Sequence, residues 1–166
     1  MALQLAPEEP EAGPWRVATL NAVMTTLMRN GPREPAGRPV VIAVDGRSSG
    51  GKTTLAARMQ GAVPGGCPLL LIEGVGSGRR DVAGLIDALV WVQSDLRQTR
   101  ERDLDRVGTP GGAATIQFLH DWMAEEIPFV AADRAWERAD LIICGTPQLP
   151  HDPRTELIAA PPSVIP

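Results

Sequence analysis

The residues Gly46-Arg47-Ser48-Ser49-Gly50-Gly51-Lys52-Thr53 follow the pattern G-x-x-x-x-G-K-[ST] in full. Each residue type at that spacing suits the handling of a polyphosphate. Glycines let the backbone wrap closely, so that successive N–H groups converge on phosphate oxygens. The Lys52 ammonium can meet β- and γ-phosphates, and the Thr53 hydroxyl can ligate Mg²⁺. The expected ligands are therefore ATP and Mg²⁺, held by Gly46, Ser48, Ser49, Gly50, Gly51, Lys52, Thr53 and Thr54. The competing reading is a glycine-rich turn that happens to contain Lys and Thr.

Such a site also needs a carboxylate near the metal. Glu73 closes the apolar run Leu69-Leu70-Leu71-Ile72 and fits that role, ordering Mg²⁺ directly or through water; a solvent-facing strand-terminal Glu is the plainer alternative. Asp45, just before the loop, is a second carboxylate within reach of the metal or of an acceptor hydroxyl, or else a hydrogen-bond acceptor that stabilises the loop.

Planar cations that close over a transferring phosphoryl group form the next requirement. Arg97, Arg100, Arg102 and Arg106 share one segment with Asp95, Glu101, Asp103 and Asp105. A solvated, salt-bridged helix face accounts for most of them, with Arg100 or Arg102 as the candidate for transition-state charge and Gly108–Gly112 as a hinge. Arg79 and Arg80 are further candidates to face an anionic group of an acceptor. His120 and His151 are isolated, and Phe118, Trp122, Met123 and Phe129 read as a helix-packing face rather than a base-stacking platform. Cys144-Gly145-Thr146-Pro147 is either an adenine-contacting loop or a plain strand exit.

Positioning these groups requires a strand that enters the loop and a helix that leaves it. Pro39-Val40-Val41-Ile42-Ala43-Val44-Asp45 is a β-branched run without polar alternation, the pattern of a strand buried on both faces, and Thr54 to Met59 continues as a helix. Leu69-Leu70-Leu71-Ile72, Leu89-Val90-Trp91-Val92 and Leu141-Ile142-Ile143-Cys144 read as further buried strands, with helices near 95–106 and 114–126. Trp15, Ala18, Leu20, Val23, Met24 and Leu27 place apolar residues at mostly helical spacing, which predicts a helix over 14–29, stopped by Asn30-Gly31-Pro32. Strands alternating with helices imply an α/β fold, a three-layer arrangement on a parallel sheet of about four strands.

The chain has 166 residues, 16 basic against 20 acidic, for a net charge of −4. That length suits one domain, expected over 14–150, with a disordered Pro- and Glu-rich tail at 1–13 and a Pro-rich tail at 151–166. The mild acidity argues against nucleic acid or an anionic membrane as partner, and no apolar run is long enough to span a bilayer. Cys67 and Cys144 lack metal-ligand spacing and read as free thiols. The N-terminus lacks the basic and apolar regions of a secretory signal, so a cytoplasmic setting is expected.

Val41-Ile42-Ala43-Val44-Asp45-Gly46-Arg47-Ser48-Ser49-Gly50-Gly51-Lys52-Thr53-Thr54-Leu55-Ala56 resembles the opening of the uridine kinase-like nucleoside and nucleotide kinases. Leu71-Ile72-Glu73-Gly74-Val75-Gly76 is similar to their metal-side strand, and Val90-Trp91-Val92-Gln93-Ser94-Asp95 to the strand before their arginine-bearing lid. Asp121-Trp122-Met123-Ala124-Glu125-Glu126 and Ala139-Asp140-Leu141-Ile142-Ile143 resemble the C-terminal part of actinobacterial members. The likeness covers residues 38–147 at motif level. It implies a P-loop NTPase fold and ATP-dependent phosphoryl transfer to a small hydroxyl acceptor, a nucleoside in the family.

The family pattern breaks between the P-loop helix and the Ile-Glu-Gly strand. Members carry there a second strand, an acidic acceptor-side motif and a nucleoside-binding segment, whereas this chain has only Arg58 to Pro68. The family's general-base Asp therefore has no matching position. The implied alternative is a shortened nucleotide-binding protein without kinase turnover.

Overall fold

The computed structural model describes residues 3–29, 38–63, 67–107 and 112–161. The expected helix stop at 30–32, the 108–111 part of the hinge and residues 64–66 of the short link lie outside the described residues.

Six strands form one mixed sheet: β1 (Arg16–Thr19), β2 (Val40–Gly46), β3 (Leu69–Glu73), β4 (Ala88–Gln93), β5 (Leu141–Cys144) and β6 (Glu156–Ala160). Their spatial order is β1-β6-β5-β4-β2-β3. The block β3-β2-β4-β5 is parallel, and β6 and β1 extend it antiparallel. The helices are α1 (Leu20–Met28), α2 (Lys52–Gly61), α3 (Leu96–Val107) and α4 (Gly112–Asp133).

The strand β2 runs through the middle of the parallel block because its β-branched residues have cover on both sides. Ile42 and Val44 join Val90, Val92 and Ile143 on the face that packs against Val23, Met24 and Leu27 of α1 and Leu55 and Met59 of α2. On the opposite face, Ala43, Leu89, Trp91 and Ile142 pack with Val130 of α4, Trp136 and Ala139. Trp91 and Trp136 meet edge to face, with ring centroids 5.4 Å apart. Every residue of β4 is buried.

Three expectations about the ends of the sheet are corrected. The sheet has six strands rather than four, because the stretch read as a C-terminal tail supplies β6, with Leu157, Ile158, Ala159 and Ala160 all buried. The helix expected from residue 14 begins at Leu20. Residues 16–19 instead pair with β6, and Thr19, the last residue of the strand, caps the helix by accepting from the Ala22 N–H at 3.3 Å. Local spacing favoured a helix there, but the strand's partner lies near the other end of the chain. The N-terminal stretch read as a disordered tail is also packed from residue 3 on. Ala6, Glu9 and Ala12 are buried, and the Ala12 N–H donates to the Gln93 side chain at 2.9 Å.

Helix α4 also outlasts its expected end near 126, passing through Pro128 to Asp133. Ala124, whose carbonyl loses its helical donor to the proline, is on an exposed turn. No helix among the described residues is long and apolar enough to cross a membrane.

Candidate functional site

The loop between β2 and α2 is shaped by positions that few side chains tolerate. Gly46 has φ 147° and lies so close to β4 that a Cβ would meet the Val92 carbonyl at 2.7 Å; Gly51 has φ 99°. Ser49 adopts φ 52°, a conformation non-glycine residues adopt infrequently. Two neighbouring strand ends brace the turn. From the β4 end Ser94 donates its hydroxyl to the Gly50 carbonyl at 2.8 Å, and beyond β5 a Cβ on Gly145 would strike that same carbonyl. Gly46 and Gly50 thus serve close packing, while Ser48, Ser49, Gly51, Lys52, Thr53 and Thr54 line an open cleft of about 850 Å³.

Lys52 opens α2, where the N–H groups of the first turn point out of the helix. Its ammonium donates to the Arg47 carbonyl at 2.7 Å. Burial lowers its pKa, and the nearby charges of Glu126, Glu73, Asp45 and Asp103 act against that shift. The next residue, Thr53, donates its hydroxyl to Glu73 Oε1 at 3.0 Å. The two residues expected to hold a metal are thus in direct contact at the C-terminal end of the parallel strands. Both offer hard oxygen donors, which suits Mg²⁺. Among the described residues no group of His, Cys, Asp and Glu forms a larger metal cage.

Asp45 is used differently from its expected part as an acceptor-orienting group. Its carboxylate accepts from the N–H groups of Gly46 (2.7 Å), Gly76 (2.9 Å) and Gly78 (2.8 Å), and it is absent from the cleft wall. Burial raises its pKa, opposed by those three N–H bonds. It is a clamp that holds the 74–78 turn beside the loop, the second of the readings its position allowed.

The arginines divide by helical geometry. Arg102 and Arg106 line the cleft, with Asp103 between them, whereas Arg100 is exposed and outside it. Residues four apart share a helix face and residues two apart do not, which corrects the placing of Arg100 at the site. Arg102 Nη1 donates to the carbonyls of Ser49 and Gly145, each at 3.3 Å. Arg97 pairs with Glu101 at 3.8 Å on the solvated face. Arg80 is tied to Asp133 and Arg79 faces Asp81, and neither reaches the cleft. Cys144, Gly145, Pro147 and His151 line the cleft beyond the loop, whereas His120 is exposed outside it.

Two carboxylates at the loop were missed by reading the sequence. Asp103 of α3 accepts from the Ser49 hydroxyl, a short contact between buried groups. Glu126 of α4 accepts from the Ser48 hydroxyl at 2.5 Å, from the Ser48 N–H at 3.2 Å and from the Trp122 indole at 2.8 Å, and lies 3.7 Å from Arg47 Nε. The available signal was the four-residue spacing of Trp122 and Glu126, which puts both on one helix face. Trp122 and Phe118 also differ from expectation: they face the cleft instead of packing into a core.

Comparison of the chain with protein-family models, with curated proteins and with solved structures finds no match in any of the three.

Proposed function

We propose that this protein is a P-loop phosphotransferase that binds ATP with Mg²⁺ at residues 46–54 and passes the γ-phosphoryl group to the hydroxyl of a small acceptor, a nucleoside in the first instance. The observation that carries the reading is the Thr53–Glu73 contact beside Lys52, at the point where β2 turns into α2. The central place of β2, between the strand ending in Glu73 and β4, supports a P-loop NTPase fold.

On this reading the N–H groups of the loop and of the first turn of α2 hold the phosphates. Lys52 exchanges the Arg47 carbonyl for phosphate oxygens, whose negative charge adds to that of the neighbouring carboxylates in offsetting its burial. Arg102 and Arg106 supply cations along the α3 wall of the cleft. Thr53 and Glu73 would hold Mg²⁺, whose chemistry is to neutralise charge on the phosphates. Asp45 maintains the geometry of the 74–78 turn and is not a proton acceptor here.

Lys52→Ala, checked for folding by circular dichroism, is expected to cut acceptor-dependent ADP release by at least about 100-fold across a panel of nucleosides, nucleotides and small alcohols. Unchanged release would overturn the proposal. A second reading, nucleotide binding without turnover, is favoured by one feature: no described strand lies between α2 and β3, where the resembling kinases carry a second strand and their acceptor segment, and β3 is left at the sheet edge. ATP binding without acceptor-dependent release selects it.

A further inference from the structure

The acceptor needs a wall, and the segment that provides one in the resembling kinases is missing between α2 and β3. The cleft has an aromatic wall elsewhere. Phe118 and Trp122, one helical turn apart on α4, both line it while remaining 63% and 42% exposed. Large aromatic surfaces left open inside a cleft mark a place where a ligand completes the packing.

The position of this wall is set from its Trp122 end. The Trp122 indole N–H donates to the Ser48 hydroxyl and to Glu126, each at 2.8 Å, so one edge of the ring is tied to the phosphate loop. Two turns further along, about 10 Å, Phe129 lies against Gly76 in the turn that follows Glu73. The open ring faces therefore stand next to the loop, on the same cleft as Lys52 and Glu73.

We propose that Phe118 and Trp122 form the acceptor subsite and that it takes the planar ring of a nucleoside by stacking; this rests on the phosphotransferase reading of the loop. Stacking suits any base, because every base has a π-face. Arg106 and Asp103 on the facing helix supply polar partners for the ring edge and the sugar. Ribose, which has no planar aromatic ring, has nothing to stack against this wall.

The test uses the full chain, titrated separately with uridine, adenosine and ribose, with tryptophan fluorescence as readout. Trp91 and Trp136 are buried and Trp15 is half-buried, so the titrations are repeated in Trp15→Phe, where quenching by an added solute reports chiefly on the exposed indole at Trp122. Both nucleosides are expected to quench and ribose is not. Phe118→Ala, at an exposed position that does not carry the core, is expected to weaken nucleoside binding about tenfold and to leave the affinity for a non-hydrolysable ATP analogue within about twofold. Equal nucleoside affinity in the variant, or no quenching in the parent chain, overturns the subsite. A parallel loss of analogue affinity also overturns it, by assigning the wall to the donor's own base. If nucleosides stack but the analogue does not bind, the donor reading fails and the aromatic nucleoside site stands.

Discussion

Strands β3 and β4 flank β2 on opposite sides, and their surroundings differ. β4 is buried along its whole length, with α1 and α2 over one face and α4, Trp136 and the N-terminal segment over the other. β3 pairs only with β2 among the described residues, and Leu70 and Ile72 are 47% and 40% exposed. Both begin as short apolar runs. The difference comes from what covers them, and it separates the two halves of the proposed reaction. The β4 and β5 side braces the 46–53 loop through Ser94 and Gly145, whereas the β3 side brings Glu73 to the loop and leaves the sheet open beyond it among the described residues.

The largest effect should come from removing the ring at the centre of the braced side. Trp91→Ala is expected to cost about 4 kcal/mol in urea unfolding, from lost burial and the lost contact with Trp136. Leu70→Ala on the open side should change stability by no more than about 0.5 kcal/mol. Equal costs for the two would abolish the contrast.

A smaller effect is expected at the brace. In Gly145→Ala the new Cβ would sit 2.1 Å from both the Gly50 carbonyl and the Ser94 hydroxyl. Moving loop backbone to relieve this should cost about 1–3 kcal/mol and weaken ATP binding together with it. Gly84→Ala, with no atom within 4 Å of the added carbon, should do neither.

The smallest effect concerns Glu9, which the N-terminal segment buries over β4. Its Oε1 accepts from the Trp91 indole at 2.7 Å and from Gln93 at 3.0 Å, and burial raises its pKa above 4.5 against those bonds. A carboxyl with a raised pKa in the folded chain favours folding in its neutral form. Its contribution is present below the ordinary value and is lost as pH rises through the raised one. Glu9→Gln should therefore flatten part of the fall in stability as pH rises above the ordinary carboxyl value, read from urea midpoints, and an unchanged slope would show that Glu9 is not the group responsible.

The turn between β2 and α2 was legible because its signal is local. Glycines for a close turn, a Lys and a Thr must follow one another directly, with a buried strand before and a helix after. Glu73 was legible for the same reason, since it ends an apolar run. Asp103 and Glu126 were not, because each reaches the loop from a helix far along the chain; the spacing of Trp122 and Glu126 put that pair on one helix face without saying what that face meets. The aromatic residues of α4 were legible as one helix face, but not as a face left open to a cleft.

The sequence by itself determined an α/β chain with four buried apolar runs that become the parallel strands, and a glycine-rich turn between the first of them and a helix. Only the tertiary structure decided that residues 16–19 and 156–160 pair with each other at the sheet's edge, that Asp45 is occupied by three backbone N–H groups, and that Arg102 and Arg106, not Arg100, enter the cleft. The physical reason is the range of the interactions. Turn geometry and strand burial are encoded in neighbouring residues, whereas an antiparallel partner, a hydrogen-bond donor or the open side of a helix is supplied by chain far away in sequence.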